Sequence, residues 1–270
     1  MDNLELKSGN FIKDQKEFRQ KYRDNVKGWY NGFVHLAMIF IIGGIGIYYF
    51  TLHIKDVLWW EWIIVPVTLI FSNIFEWWIH KYVMHKPLNF PGAKAIYSRH
   101  TLQHHQFFTE QEMRFAGTHD WRVTLFPPYA LAIFIAVLSA PAVIILSLII
   151  STNVGWLFIC TTTSFYLLYE IMHFCCHVKD NIIVRNMPFI NTIRRHHAAH
   201  HNKGIMMSQN MNLTFPFGDW LFGTSDLNRG LLGHFFNGYS KKYLKESIND
   251  KKNKINFNNL HNNNLYNCYI

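Results

Sequence analysis

Residues 123–169 read VTLFPPYALAIFIAVLSAPAVIILSLIISTNVGWLFICTTTSFYLLY, 47 residues without one Asp, Glu, Lys or Arg. A helix crosses the hydrocarbon core of a bilayer in ~20 apolar residues. The run therefore predicts two membrane spans in series. Ser151-Thr152-Asn153 supplies the turn between them. Pro127 and Pro128 suit the first turn of the earlier helix, where a missing N–H leaves nothing unpaired. Pro141 lies inside that helix and predicts a kink, whose freed carbonyl can be satisfied within a bundle.

Towards the N-terminus a second uncharged stretch, Gly28 to Ile54, contains the apolar run Phe33 to Phe50. A short turn at His53, Lys55 and Asp56 leads into Val57–Trp78. That run carries Trp59, Trp60 and Trp62 at one end and Trp77 and Trp78 at the other, the aromatic belts of two interfaces. Spans are thus expected at about 33–52, 57–79, 125–150 and 154–174. The fold class is an all-α integral membrane protein, with four transmembrane helices capped by a helical His-rich region from 80–122 and 175–245. Residues 1–31 read as a mixed-charge arm, 32–245 as the membrane domain, and the Asn- and Lys-rich 246–270 as a disordered tail.

Composition agrees. Charged residues make up 16% of the chain, against about 25% in soluble domains. The net charge of +9 would suit nucleic acid, an anionic membrane or acidic proteins; the apolar spans decide for the membrane, and no nucleic-acid partner is expected. Cys160, Cys175, Cys176 and Cys268 form no CxxC pair and read as reduced thiols. The first 31 residues are polar and charged, and no cleavable signal peptide is expected there. Lys and Arg gather in the N-terminal arm, in 79–122 and in 178–245, whereas the two opposite turns hold Lys55 and nothing else. The positive-inside rule then expects both termini and the cap in the cytosol.

Sixteen histidines occur in 270 residues, most of them in four groups on that same side. They are HKYVMH (His80–His85), HTLQHH (His100–His105), HFCCH (His173–His177) and HHAAHH (His196–His201). Residues i, i+3 and i+4 share a helix face, so His197, His200 and His201 are expected to aim at one place, and His173 and His177 form a pair. His80 and His85 are five apart and are expected to straddle a helix end and the loop beyond it. Neutral imidazole suits first-row metals such as iron and zinc. Ten clustered imidazoles exceed what one ion takes, so the expected site is a di-metal centre. Glu76 and Glu170, four and three residues before His80 and His173, could accept imidazole N–H bonds and fix the ring tautomers. His119, Asp120, His196 and Asp219 are further candidates for that supporting work. His35, His53, His234 and His261 stand alone and read as structural.

The order of these groups resembles the fatty acid hydroxylase and sterol desaturase superfamily. The segment Asn212–Thr224 (NLTFPFGDWLFGT) is similar to the stretch after the last histidine group there, and Arg122 with Pro127-Pro128 is reminiscent of the fatty acid 2-hydroxylase branch. The likeness covers roughly residues 57–225. It implies four membrane helices under a cytosolic di-iron cap, with His80, His85, His100, His104, His105, His173, His177, His197, His200 and His201 as metal ligands. It further implies O2 as co-substrate and oxidation of a lipid C–H bond, on a fatty acyl chain or, as the alternative, in a sterol or carotenoid. Zinc could replace iron in purified protein. No HPGG haem-binding segment occurs in the sequence, so a separate cytochrome, ferredoxin or reductase is expected to supply electrons. A His-rich metal transporter or sensor is the rival from another class; it calls for ionisable residues deep in the spans, which are apolar here. The missing HExxH argues against a zinc protease.

Overall fold

The computed structural model describes residues 15–248 and 250. The first 14 residues, most of the expected tail, His261 and Cys268 lie outside the described residues. Among the described residues the chain is helical, with one isolated antiparallel bridge between Leu227 and Leu244. An amphipathic helix α1, Gln15–Asp24, precedes the spans. Four helices are long and apolar enough to cross a membrane: α2 (Gly32–Thr51), α3 (Trp59–Met84), α4 (Thr118–Ile149) and α5 (Thr152–His177). A shorter helix, α6 (Ile190–His200), lies beyond them and packs on α5.

Polar caps fix where the spans start. The Asn31 side chain accepts from the Phe33 and Val34 amides at the head of α2, at 2.9 and 3.2 Å. Ser151 does the same for α5 through the Val154 amide, at 3.2 Å. One end of the bundle is closed by a single carboxylate. Glu61 is buried there and accepts from the Ser151 hydroxyl, the Asn153 amide (3.1 Å) and the Leu58 backbone N–H (2.8 Å). The Asn153 side chain also donates to the Lys55 carbonyl (2.8 Å) and accepts from the Lys55 amide (3.1 Å). The α2–α3 and α4–α5 turns are thereby joined, which leaves the histidine-bearing ends of α3 and α5 together at the opposite end.

Prolines shape α4 as elementary sterics require. Its first turns stop at Leu125, the backbone stays extended through Pro127, and Pro128 opens the long helical run. A π-helical turn, Ile135–Ser139, precedes Pro141 and absorbs the hydrogen bond that proline cannot make. α5 is the central helix, touching α2, α3 and α4. Phe18, Tyr22 and Val26 join Phe107, Phe108, Met113, Phe115 and, in the first turns of α4, Val123 in one buried cluster. The first helix is thus anchored against the His-rich segment by apolar burial.

Candidate metal centre

The ten histidines that the family resemblance singled out converge. His80, His85, His100, His105 and His200 form one group, whose ring nitrogens lie within 4.8 Å of one another. His104, His177, His197 and His201 form a second group by the same measure. His173 borders the second, with its Nε2 3.2 Å from that of His104. All ten rings are buried.

Two π-helical segments build the first group. α3 ends in one over His80–Met84, with His85 following directly. A second covers Ser98–His104, with His105 following. A π-helix bonds i to i+5, so residues five apart come into register. That brings His85 under His80 and His105 under His100; His80 lies in the closing π turn of α3 and His85 just past its end, across the helix boundary as expected. Such turns are frequent at functional sites. The second group rests instead on α-helical i, i+4 pairs, His173 with His177 on α5 and His197 with His201 at the end of α6. The three histidines 197, 200 and 201 do not aim at one place, as the helix face suggested. His200 joins the first group while His197 and His201 join the second. His104 and His105 divide in the same way. Adjacent positions on a helix project about 100° apart, so His104-His105 and His200-His201 each reach both groups.

Backbone carbonyls orient the rings. Nδ1–H of His80 donates to the Met211 carbonyl and that of His200 to Gln209, the latter at 2.8 Å. Nδ1–H of His177 donates to Met113 (2.8 Å) and that of His201 to Phe108 (2.9 Å). A carbonyl only accepts, so these four rings carry their proton on Nδ1 and present a bare Nε2 lone pair. His197 Nε2 lies 3.1 Å from that of His177 and 3.0 Å from that of His201. One N–H can satisfy only one of those two lone pairs. His201 Nε2 also faces His104 at 3.1 Å, and in the first group His100 Nε2 faces His80 at 2.8 Å and His105 at 3.1 Å. Converging lone pairs in a dry interior repel unless a cation lies among them, and two imidazole clusters are a donor set suited to two first-row metals. Burial, and after it the neighbouring imidazoles, holds His100, His105, His197 and His201 well below the ordinary histidine range and His200 down to about 3. The rings therefore stay neutral, the form that binds metal.

The carboxylates differ from what spacing suggested. Glu76 accepts from the Leu213 amide, the Thr214 amide (3.0 Å) and the Thr214 hydroxyl (2.5 Å), not from an imidazole. Glu170 meets the Phe126 amide at 3.5 Å. Asp120 takes a two-pronged bond from Arg23 at 2.8 and 2.9 Å, and His119 is exposed. Neighbouring helical positions face different ways, which explains why His196 stands apart from His197: its Nε2 bonds Asp219 Oδ2 at 2.9 Å. Burial alone would raise the Asp219 carboxyl; the bond from His196, with those from the Asn212 amide and the Thr224 hydroxyl, outweighs it and holds the group at about 2. Asp219 also accepts from the Met211 amide at 2.9 Å.

Sequence reasoning missed the loop that these acids hold. Asn210 adopts a left-handed conformation, φ 59°, which asparagine tolerates better than most residues. Its two neighbours, Gln209 and Met211, offer the carbonyls that orient His200 and His80. Gly218 fits beneath, since a Cβ there would sit 2.7 Å from Asn212 Oδ1 and 2.9 Å from Trp77 Cβ. Backbone acceptors leave no mark in side-chain spacing. Of the solitary histidines, His35 bonds the Tyr30 hydroxyl and the Phe126 carbonyl, and His53 stacks on Trp156; neither joins a group.

No curated protein and no solved structure gives a significant match to the chain. A family model described as fatty acid hydroxylase matches residues 65–224. Those residues contain all ten clustered histidines and the Asp219 loop, and they exceed half of the chain. By its matched sequence, its four apolar helices and its paired histidine groups, the chain belongs to the fatty acid hydroxylase family, and membership implies a membrane oxidoreductase.

Proposed function

We propose that the protein is an O2-dependent di-iron oxidase that hydroxylates a C–H bond of a membrane lipid, with a fatty acyl chain as substrate. The observation that carries this reading is the division of ten buried imidazoles into two adjoining groups with facing Nε2 lone pairs. His80, His85, His100, His105 and His200 would hold one ion, and His104, His173, His177, His197 and His201 the other. Bound iron would supply the redox chemistry that no amino-acid side chain offers, activation of O2 for attack on an unactivated C–H bond.

The chain's own residues do the rest. The carbonyls of Met211, Gln209, Met113 and Phe108 keep Nδ1 protonated and Nε2 free to bind. Burial of all ten rings excludes water from the centre. The groups sit at one end of the spans, a place that a lipid can reach laterally from the bilayer. Electrons would come from a separate cytochrome, ferredoxin or reductase, attracted by a chain of net charge +9. With Lys and Arg concentrated on the histidine side, that side and both termini belong in the cytosol.

The test is metal analysis with lipid profiling. Anaerobically iron-reconstituted protein should hold two coupled irons per chain by Mössbauer spectroscopy. Cells expressing it should accumulate a hydroxylated lipid, and cells expressing His197→Ala or His200→Ala should not. Unchanged product in either variant would refute the reading, and a desaturated or sterol product would redirect it within the family.

A further inference from the structure

The two imidazole groups take their orienting carbonyls from different parts of the chain. The first group uses Gln209 and Met211, on a loop held by Glu76, Asp219 and Asn212; Asn212 in turn donates to the Asn73 carbonyl of α3 at 2.9 Å. The second group uses Phe108 and Met113, on the segment that leaves the Ser98–His104 helix. Along its outer side that segment is secured by α1. Arg19 is buried; its Nη1 donates to Glu112 and its Nη2 to the Arg114 carbonyl, each at 2.7 Å. The same guanidinium lies 4.6 Å from the centre of the Phe107 ring. Gln15 donates to the Phe107 carbonyl at 2.8 Å, and the Thr109 hydroxyl donates to Gln15 at 3.3 Å. The Phe108 ring stacks on His177 with centroids 3.9 Å apart.

We propose that α1, chiefly through Arg19, is a positioning element for the second imidazole group alone. Its hydrogen bonds bracket both orienting carbonyls: Phe107 and Thr109 flank Phe108, and Glu112 and Arg114 flank Met113. The segment has other ties. Phe115 N–H donates to the His177 carbonyl, Arg114 to the Cys176 carbonyl, and the Asn202 side chain to Glu110. Those reach α5 and the end of α6, so they preserve the fold when α1 is loosened. They do not fix the two carbonyls from outside. With Arg19 removed, the rings of His201 and His177 lose a fixed acceptor, and with it their tautomer and orientation. The loop of Gln209 and Met211 makes none of these contacts, so the first group is untouched.

The inference rests on the two-metal reading, and the experiment separates the two. Full-length protein is loaded with zinc(II), and its release to a chromogenic chelator is followed. Wild type should hold two equivalents. In Arg19→Ala, one equivalent should leave faster by about tenfold or more, the loss typical when a ligand's hydrogen-bond partner is disturbed. The other should leave at the wild-type rate. Gln15→Ala should accelerate the same equivalent less, and Asp219→Asn should accelerate the opposite one. His85→Ala identifies the equivalents, because it weakens the first group and leaves the Arg19-sensitive ion in place. Equal acceleration of both ions by Arg19→Ala would reduce α1 to a general stabiliser and overturn the proposal, as would unchanged release. A wild-type chain with fewer than two equivalents would instead overturn the two-metal reading and this inference with it.

Discussion

The two helices that share the 47-residue uncharged run are both long and apolar enough to span a membrane, yet opposite in their packing. In α4, no residue from Ala140 to Ile149 is buried, and Leu148 and Ile149 are 82% and 76% exposed. In α5, which carries Thr161-Thr162-Thr163, Glu170 and two histidines, 14 of 26 residues are buried. The less apolar helix is the more deeply enclosed one. In water the reverse would hold. In a bilayer the surrounding tails are as apolar as leucine, so burying leucine inside the bundle gains little, while a hydroxyl, carboxyl or imidazole needs partners that only other helices supply. Helix identity in this fold therefore depends on polar content, and the two least apolar spans, α3 and α5, are the ones whose ends carry histidines of the two groups.

The contrast can be broken experimentally, beginning where the effect is largest. His177→Ala removes a ring at the histidine-bearing end of α5 and one support of the second group. Hydroxylated lipid should fall to background in expressing cells and bound metal should drop. Retained product would show that the buried face of α5 does not serve the site. A moderate effect is expected where the two helices touch. A Cβ on Gly155 would meet Ser147 Oγ at 2.2 Å and the Val143 carbonyl at 3.0 Å. Gly155→Leu should therefore destabilise the protein by about 1–3 kcal/mol, read as a lowered Tm in detergent. Gly44→Leu on α2, with open space around it, serves as the control. The smallest effect belongs to the outer face of α4. Leu148→Ala should change stability by no more than about 0.5 kcal/mol, and a larger loss would mean that α4 is packed rather than lipid-facing.

How far residues alone reached depends on which link of the chain is asked about. The long apolar runs set the number of spans, because the length of a helix that crosses a bilayer is set by the bilayer. The i, i+4 spacing of His173 with His177 and of His197 with His201 was legible for the same kind of reason, a fixed helical period. The pairs His80–His85 and His100–His105 were not. Their five-residue spacing acquires meaning only in a π-helix, and nothing in the local sequence requires one. Glu76 sits one turn from His80 in the sequence, yet its carboxylate turns to Leu213 and Thr214, more than a hundred positions away.

What the sequence by itself determined, then, is a four-span helical protein with an excess of imidazole gathered at one end, since periodicity, charge and span length are local properties. Only the tertiary structure decided how ten rings divide into two groups and which carbonyls turn each ring. Those outcomes depend on contacts between distant segments, and a backbone carbonyl is the same atom whatever residue carries it.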